Sequence, residues 1–209
     1  MQEKIVITGM GAVTPVGHSV AETWENIVAG VSGVAPITLF DASQYQVQIA
    51  CEVKDFNPEK YISPKEVRRR DRYQQFSAAA VQEAIQQSGI LQSSPDPARV
   101  GVILSSAIGG LQSLYENTLV LLEHGPRRVS PFVIPMLMSN GAAGLVSIDY
   151  GFKGPSFSVA SACASGSDGI GVAWNMLRAG VIDIAVTGAS ESTITPIGIA
   201  AFDRVGALS

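Results

Sequence analysis

One of the two cysteines, Cys163, lies in the segment SVASACASGSDGIG (158–171), between an alternating apolar run and a glycine-rich stretch. A strand that ends at Ser161 and a helix that begins just after the cysteine would place its sulfur at a helix N-terminus. The unpaired N–H groups and the positive dipole end found there favour the nucleophilic thiolate over the thiol. The segment therefore indicates a nucleophile, while the spacing alone leaves open the alternative of a small buried hydrophobe.

The residues around Cys163 are small, which leaves the turn uncrowded, as in the strand-to-helix elbow of the hydrolases, whose Gly-x-Ser-x-Gly pattern is absent here. The backbone N–H of Cys163 is a further candidate, as a donor to a developing oxyanion. Cys51, in VQIACEV, is instead predicted to be buried in a strand. The two cysteines are far apart and neither has a Cys/His cluster around it, so we predict free thiols, with no disulfide framework and no zinc site.

Other chemistry-bearing motifs are incomplete. The opening ITGMGAVTPVG has Gly9 and Gly11 after a strand-like run, but Thr14 replaces the third glycine of a dinucleotide loop and Pro15 blocks helix entry. A nucleotide site is therefore not predicted. Both histidines, His18 and His124, lie beside turn glycines and are interpreted as solvated loop residues rather than catalytic groups.

The composition restricts the class of protein. The chain has 209 residues, of which 46% are hydrophobic and 15% charged, enough for a sizeable core. The formal net charge of -4 argues against a nucleic-acid partner, and no apolar run reaches the roughly 18 residues of a membrane span. The N-terminus MQEKIVITGMGAVTP lacks the pattern of a signal peptide, so we expect a soluble, cytoplasmic protein with no membrane association.

The elements that must position Cys163 alternate between β-branched runs and helical segments, which predicts an α/β fold with a mostly parallel or mixed sheet covered by helices. The predicted strands are residues 4–9, 100–106, 156–161 and 183–188. The predicted helices are residues 19–30, with a capping box at Ser19 and Glu22, 64–88 with a break inside it, 139–150, and a last helix that follows Cys163 and ends at Gly180.

Several segments together resemble one family. SVASACASGSDGIG is similar to the active-site segment of the β-ketoacyl-[acyl-carrier-protein] synthases, with Cys163 at their acyl-accepting cysteine. VITGMGAVTPVG, GPRRVSPFVIP, YGFKGPSFSVASACASG and GASESTITPIGIAAFDRVGALS resemble other family segments in the same order. The resemblance covers the whole chain and is closest to the discrete bacterial enzymes that elongate long fatty-acyl chains.

The resemblance implies a thiolase-like fold of two similar α/β halves, of which this chain is the first. It implies that Cys163 takes an acyl group by ping-pong transfer and that decarboxylated malonyl-carrier protein then condenses with it, without a metal or an organic cofactor. The family's two catalytic histidines and its supporting lysine lie in the second half. We therefore expect residues 1–209 to be an incomplete N-terminal synthase domain that is inactive in condensation by itself.

The resemblance also suggests roles for surface and pocket residues. Ile108 and Phe202 resemble residues of the acyl pocket, with core packing as the alternative. Lys65, Arg68, Arg69, Arg127 and Arg128 match positions where the family meets its acidic acyl carrier protein. A continuous helix would place the first three and Arg72 on one face, where a plain solvated surface is the alternative. SPFVIPMLMSN resembles the family's dimer contact, which implies a homodimer.

Three alternatives remain open at this level. A non-catalytic partner subunit of the same fold would lack the cysteine, so Cys163 argues against it. A thiolase acting on coenzyme A esters fits SACASG and GPRRVSPF less well. A structural unit without activity of its own is the third. Acyl chain length, and the choice between a fatty-acid and a polyketide pathway, do not follow from the sequence.

Overall fold

The computed structural model describes residues 4–208, which contain eight α-helices. The helices are α1 (Val20–Val28), α2 (Pro64–Val67), α3 (Arg72–Ser88), α4 (Leu111–His124), α5 (Val133–Leu137), α6 (Gly141–Tyr150), α7 (Ser165–Arg178) and α8 (Pro196–Arg204). The strands are β1 (Ala35–Pro36), β2 (Ile49–Ala50), β3 (Val100–Ser105), β4 (Ser156–Phe157) and β5 (Ile184–Ala189). None of the helices in this part of the chain is long and apolar enough to cross a membrane.

The central sheet has the strand order β4-β3-β5, and both pairings are parallel. β3 is buried along its whole length. Alternate residues of a strand point to opposite faces, so β3 supplies both layers of the core. Val100, Val102 and Leu104 pack in one cluster with residues of α3 and α6, while Ile103 packs with Ala173 of α7. Helices therefore cover both faces of the sheet, as predicted from the alternating pattern.

A smaller apolar cluster joins α8 to the antiparallel pair formed by β1 and β2. Its buried members are Ile37, Ala42 and Ile199. Thr195 caps α8 by accepting a hydrogen bond from Gly198 N (3.1 Å), and Pro196 follows it at the first helical position. This cluster sets the position of α8, which carries Phe202.

The predicted strand at residues 4–9 is wrong. Among residues 4–208 this segment pairs with no strand and instead lies along α3, where Met10 N donates to Gln87 Oε1 (2.6 Å) and Ala12 N to Glu83 Oε2 (3.0 Å). The approach is close, because a Cβ on Gly9 would lie 2.1 Å from Ala84 O. The side chains of residues 5–7 are left exposed, by 37%, 69% and 82%.

Most of the other predicted elements are confirmed. β3 and β5 match their predicted ranges within a residue or two, Ser19 caps α1, and α6 and α7 end before glycines with positive φ. The predicted strand 156–161 shortens to Ser156–Phe157. The predicted break within 64–88 separates α2 from α3. Three helices, α4, α5 and α8, were not predicted.

Candidate active site

The candidate site lies at one edge of the central sheet. Because β3, β4 and β5 are parallel, their carboxyl ends meet at the same edge, which is where open α/β sheets carry their ligands. The segment after β3 contains Ile108, the segment after β4 leads to Cys163, and residues 190–192 follow β5. A Cβ on Gly166, in the first turn of α7, would lie 3.1 Å from the Ala189 Cβ, so the last two of these segments are adjacent.

Cys163 occupies a sharp turn between β4 and α7. Ala162 has φ +52°, in the left-handed region that alanine rarely adopts, and Ala164 is the N-cap of α7. The thiol is exposed, and within residues 4–208 no side chain caps the first turn of the helix. The prediction that Cys163 lies at a helix N-terminus is confirmed, and its alternative, a buried hydrophobe, is wrong.

Three polar residues, Ser161, Ser165 and Asp168, hold this turn in place through contacts that the sequence analysis did not identify. The Ser165 hydroxyl, which is buried, donates to Ala162 O (2.7 Å) and accepts from Ser161 N (2.9 Å). The Ser161 hydroxyl donates to the Asp168 carboxylate. Serine and aspartate in the first turn of a helix were the sequence signal for such contacts. Residues before and after Cys163 therefore hold Ala162 in its strained conformation.

The prediction that Cys51 is buried in a strand is wrong, because Cys51 is exposed and lies after β2. β2 has only two residues and pairs only with β1 within the described chain, so the segment stays at the surface. Both thiols are accessible. What distinguishes Cys163 is therefore its position at the start of α7, and not its exposure.

The two candidate pocket residues are surface-accessible. Ile108 is 39% exposed in the turn after β3, and Phe202 is 37% exposed near the end of α8. Neither belongs to a core cluster, so the alternative of ordinary core packing does not apply. Ile108 shares the sheet edge with Cys163. That these side chains line an acyl pocket stays a prediction.

The basic residues of the first patch do not share one helix face. Lys65 is in α2, Arg68 and Arg69 lie in the turn after it, and Arg72 starts α3. The helix breaks here because Asp71 adopts extended backbone and caps α3. Arg72 turns inward, where its guanidinium donates to Val53 O (2.7 Å).

An aromatic contact brings the two basic segments together. The Arg69 guanidinium lies 4.6 Å from the centre of the Phe132 ring, and Phe132 follows Arg128 by four residues. Arg127 and Arg128 are exposed in a short 3-10 turn, Pro126–Arg128. The cations on the two sides of this contact are called the basic patch below; they are Lys65, Arg68 and Arg69 in the first segment and Arg127 and Arg128 in the second.

Arg70, which the sequence analysis did not single out, anchors this patch from below. Its side chain is 3% exposed, and its guanidinium donates to both Asp149 oxygens (2.7 and 2.8 Å) and to Glu66 (3.2 Å). Burial would lower the pKa of Arg70, but these hydrogen bonds raise it above the ordinary value. The pairing with α6 fixes the turn that presents Arg68 and Arg69.

The histidines lie away from Cys163 in sequence and have other neighbours. His18 lies in the bend before α1, where its ring is partly buried and packs edge-on against Phe56, with ring centres 5.7 Å apart. His124 ends α4 with its side chain 59% exposed, 3.8 Å from Glu123. No cluster of metal-ligating side chains occurs within residues 4–208.

Similar proteins of known sequence cover the whole chain. The family model described as the N-terminal domain of β-ketoacyl synthase matches residues 2–209. A 3-oxoacyl-[acyl-carrier-protein] synthase 2 of Staphylococcus aureus (strain COL) is 42% identical over 207 residues, which are 99% of this chain and 50% of that protein. The corresponding protein of Coxiella burnetii is 42% identical over 208 residues, covering 100% and 50%.

Solved structures show the same fold. The ishigamide ketosynthase/chain length factor superposes with a TM-score of 0.90 at 25% identity, covering all of this chain and 52% of that one. A β-ketoacyl synthase from Burkholderia phymatum gives 0.84 at 27% identity, covering 98% and 50%. These ketosynthases have the thiolase-like fold that the sequence predicted. The chain belongs to the β-ketoacyl synthase family, whose N-terminal domain it matches from residue 2 to residue 209.

Proposed function

We propose that Cys163 accepts an acyl group from an acyl carrier protein, as the first step of a decarboxylative condensation in fatty-acid elongation. The observation that carries this proposal is the exposed Cys163 thiol on a strained turn at the start of α7. The turn presents the sulfur outward, beside the N-terminal end of α7. The relatives named 3-oxoacyl-[acyl-carrier-protein] synthase 2 support the reaction class.

In the proposed first step, the Cys163 thiolate attacks the thioester carbonyl of the acyl-carrier protein. A new carbon–sulfur bond forms to Cys163, the old one breaks, and the carrier thiolate leaves and takes up a proton. In the second step, malonyl-carrier protein loses carbon dioxide and the resulting carbanion attacks the Cys163 thioester. The new carbon–carbon bond forms as the Cys163 thiolate departs.

The chain spans about half the length of the curated relatives that it matches. The condensation step is therefore proposed for the whole protein, with residues 1–209 as its N-terminal synthase domain. Enolate stabilisation needs preorganised donors, and the two histidines here have the other neighbours described above. We assign that stabilisation to groups outside this half, and acyl acceptance to residues around Cys163.

We propose the basic patch as the docking surface for the carrier protein. The contact between Arg69 and Phe132, together with the buried Arg70, fixes exposed cations on an otherwise acidic chain. A carrier protein rich in carboxylates would be attracted to such a surface. One similar structure, with a TM-score of 0.83, is described as a type II polyketide acyl-carrier protein in complex with its ketosynthase.

The remaining proposals concern the pocket and the assembly. Ile108 and Phe202 are proposed to line the acyl pocket, since both are exposed apolar side chains. We also propose that the protein forms a homodimer through the segment 130–140, in which Ile134 and Met138 are exposed apolar residues. A cytoplasmic location follows from the same assignment to fatty-acid synthesis.

A polyketide ketosynthase is the second candidate function, because two similar structures are ketosynthases with chain length factors. Their identities of 20–25% are well below the 42% found for the fatty-acid enzymes. Fatty-acid elongation is therefore preferred. The presence of Cys163 favours a catalytic chain over a partner subunit that lacks the nucleophile.

Transfer of an acyl group to Cys163 tests the proposal directly. The protein is incubated with a radiolabelled acyl-carrier protein, and the modified peptide is identified by mass spectrometry. We expect labelling of Cys163, loss of labelling in Cys163→Ser, and retention in the matched control Cys51→Ser. Labelling that persists in Cys163→Ser, or that is confined to Cys51, contradicts the proposal.

A further inference from the structure

Residues 190–192, which follow β5, make contacts in two directions at the candidate site. The Ser190 hydroxyl donates to Tyr73 O (2.8 Å), and the Ser192 hydroxyl donates to Asp71 Oδ1 (3.0 Å), so both flanking serines bind the first turn of α3. Glu191 between them turns the other way, toward the segment after β3. The backbone that carries Glu191 is thereby fixed on both sides.

The Glu191 carboxylate holds the start of the turn that bears Ile108. Its Oε1 accepts hydrogen bonds from the Ser106 hydroxyl and from Ala107 N, the latter at 3.1 Å. The Ser106 hydroxyl in turn accepts from Gly109 N (2.8 Å), and Ser106 is completely buried. Glu191 therefore reaches both sides of Ile108, directly at Ala107 and through Ser106 at Gly109.

The far side of this turn has little freedom to adjust. Gly109 has φ +77°, and a Cβ there would lie 2.2 Å from Leu137 O. Gly110 N donates to the same carbonyl (3.1 Å). With the end of α5 on one side and Glu191 on the other, the position of Ile108 depends on the Glu191 contacts.

We propose that Glu191 is a positioning residue that sets acyl-chain selectivity by holding the Ser106–Ala107 backbone beneath Ile108. The proposal rests on the proposed function, in which Ile108 lines the acyl pocket. Loss of the carboxylate frees Ala107 N and the Ser106 hydroxyl, so Ile108 moves and the space available to the acyl chain changes. Glutamine keeps an oxygen that accepts both hydrogen bonds, so it conserves the position.

The test compares rates of Cys163 acylation from a short and a long acyl-carrier protein in the complete natural polypeptide. Glu191→Ala and Ser106→Ala are expected to change the ratio of the two rates by about fivefold or more, since pocket contacts discriminate on this scale. Glu191→Gln and the control Glu25→Ala, an exposed glutamate of α1, should keep the parental ratio. Thermal unfolding of each variant separates selectivity from stability.

A lower unfolding temperature with an unchanged ratio in Glu191→Ala and Ser106→Ala would show a purely structural role and overturn the inference alone. If one of these two variants does not fold, the ratio measured for the other decides between the two roles. Absence of Cys163 acylation in the parent protein would instead overturn the proposed function, and the inference with it. The two failures are thus distinguishable.

Discussion

The Oδ2 atom of Asp71 accepts hydrogen bonds from both the backbone N–H (3.0 Å) and the hydroxyl (2.6 Å) of Ser113, in the first turn of α4. Its Oδ1 atom accepts from Tyr73 N (3.1 Å), in the first turn of α3. One carboxylate, 2% exposed, therefore caps two helices whose N-termini converge on it. The positive ends of both helices stabilise its charge.

This double cap predicts a large stability effect. Asp71→Ala should lower the free energy of unfolding by about 2–4 kcal/mol, because it removes caps from two helices and leaves buried donors without an acceptor. Ser63→Ala, which removes the exposed cap of α2, is the matched control and should cost about 1 kcal/mol. Urea denaturation followed by circular dichroism measures both, and equal losses would contradict the double cap.

The strained turn predicts opposite effects for two substitutions at Ala162. Ala162→Gly should keep the stability or raise it by up to about 1 kcal/mol, because glycine adopts φ +52° without steric cost. Ala162→Val should destabilise the turn and slow the acylation of Cys163. Ala164→Val, at φ -88°, is the control and should have a smaller effect. Calorimetry and a thiol-labelling assay give the two readouts.

The basic patch predicts a salt-dependent loss of affinity for the carrier protein. Arg127→Glu/Arg128→Glu should weaken binding of acyl carrier protein at low salt and leave the fold intact, since both side chains are exposed. The difference should shrink as salt is added, because exposed charges are screened over about 10 Å near 0.1 M. The control Lys153→Glu/Arg204→Glu makes the same change of charge outside the basic patch. An equal loss of affinity for the carrier protein in this control would show that the basic patch is not a specific docking surface.

Glu52 predicts a contribution to acid sensitivity. Burial would raise the pKa of Glu52, but hydrogen bonds from Thr38 and Leu39 and the charge of Lys54 lower it below its ordinary value. Glu52 therefore binds a proton less readily in the folded state than in the unfolded chain, and its ionised form stabilises the fold. This contribution to the free energy of unfolding is present above about pH 4.5, and it is lost as the pH falls through the lowered pKa of Glu52.

Glu52→Gln should reduce stability near neutral pH and flatten its decline below about pH 4.5, because the substituted side chain no longer titrates. Unfolding by urea at a series of pH values measures this slope. Glu25→Gln, on the exposed surface of α1, is the control. A parental slope in Glu52→Gln would assign the acid sensitivity to other groups.

Local sequence patterns predicted the helices and strands that are specified by residues close together in the sequence. β3 and β5 are short apolar runs closed by small residues, and Ser19 marks the start of α1. The same reasoning failed at residues 4–9, because pairing needs a neighbouring strand that a local pattern does not supply. α4 was missed for a related reason, since its N-cap is Gly110 and the capping carboxylate, Asp71, comes from 42 residues earlier than Ser113.

The residues of the candidate site also fall into two groups, those that local sequence signals predict and those that depend on distant contacts. Cys163 and the start of α7 were evident from neighbouring residues, whereas Arg70 pairs with Asp149 across 79 residues and Ser106 with Glu191 across 85. Contacts between residues this far apart in the sequence cannot be predicted from the local spacing of residue types. The break predicted within residues 64–88 also has a local signal for its position, because Asp71 is followed three residues later by Gln74, which is the pattern of a capping box.

The parallel pairing of β3 with β5 joins residues that are 84 positions apart in the chain, from Val100 with Ile184 to Ser105 with Ala189. A chain that must close a loop of this length before the contact forms folds slowly, because the entropy is lost before the pairing returns any stability. The edge on which Cys163 stands exists only once that closure is complete. During refolding, the reactivity of Cys163 should therefore develop with the slow formation of the sheet, later than the formation of α3.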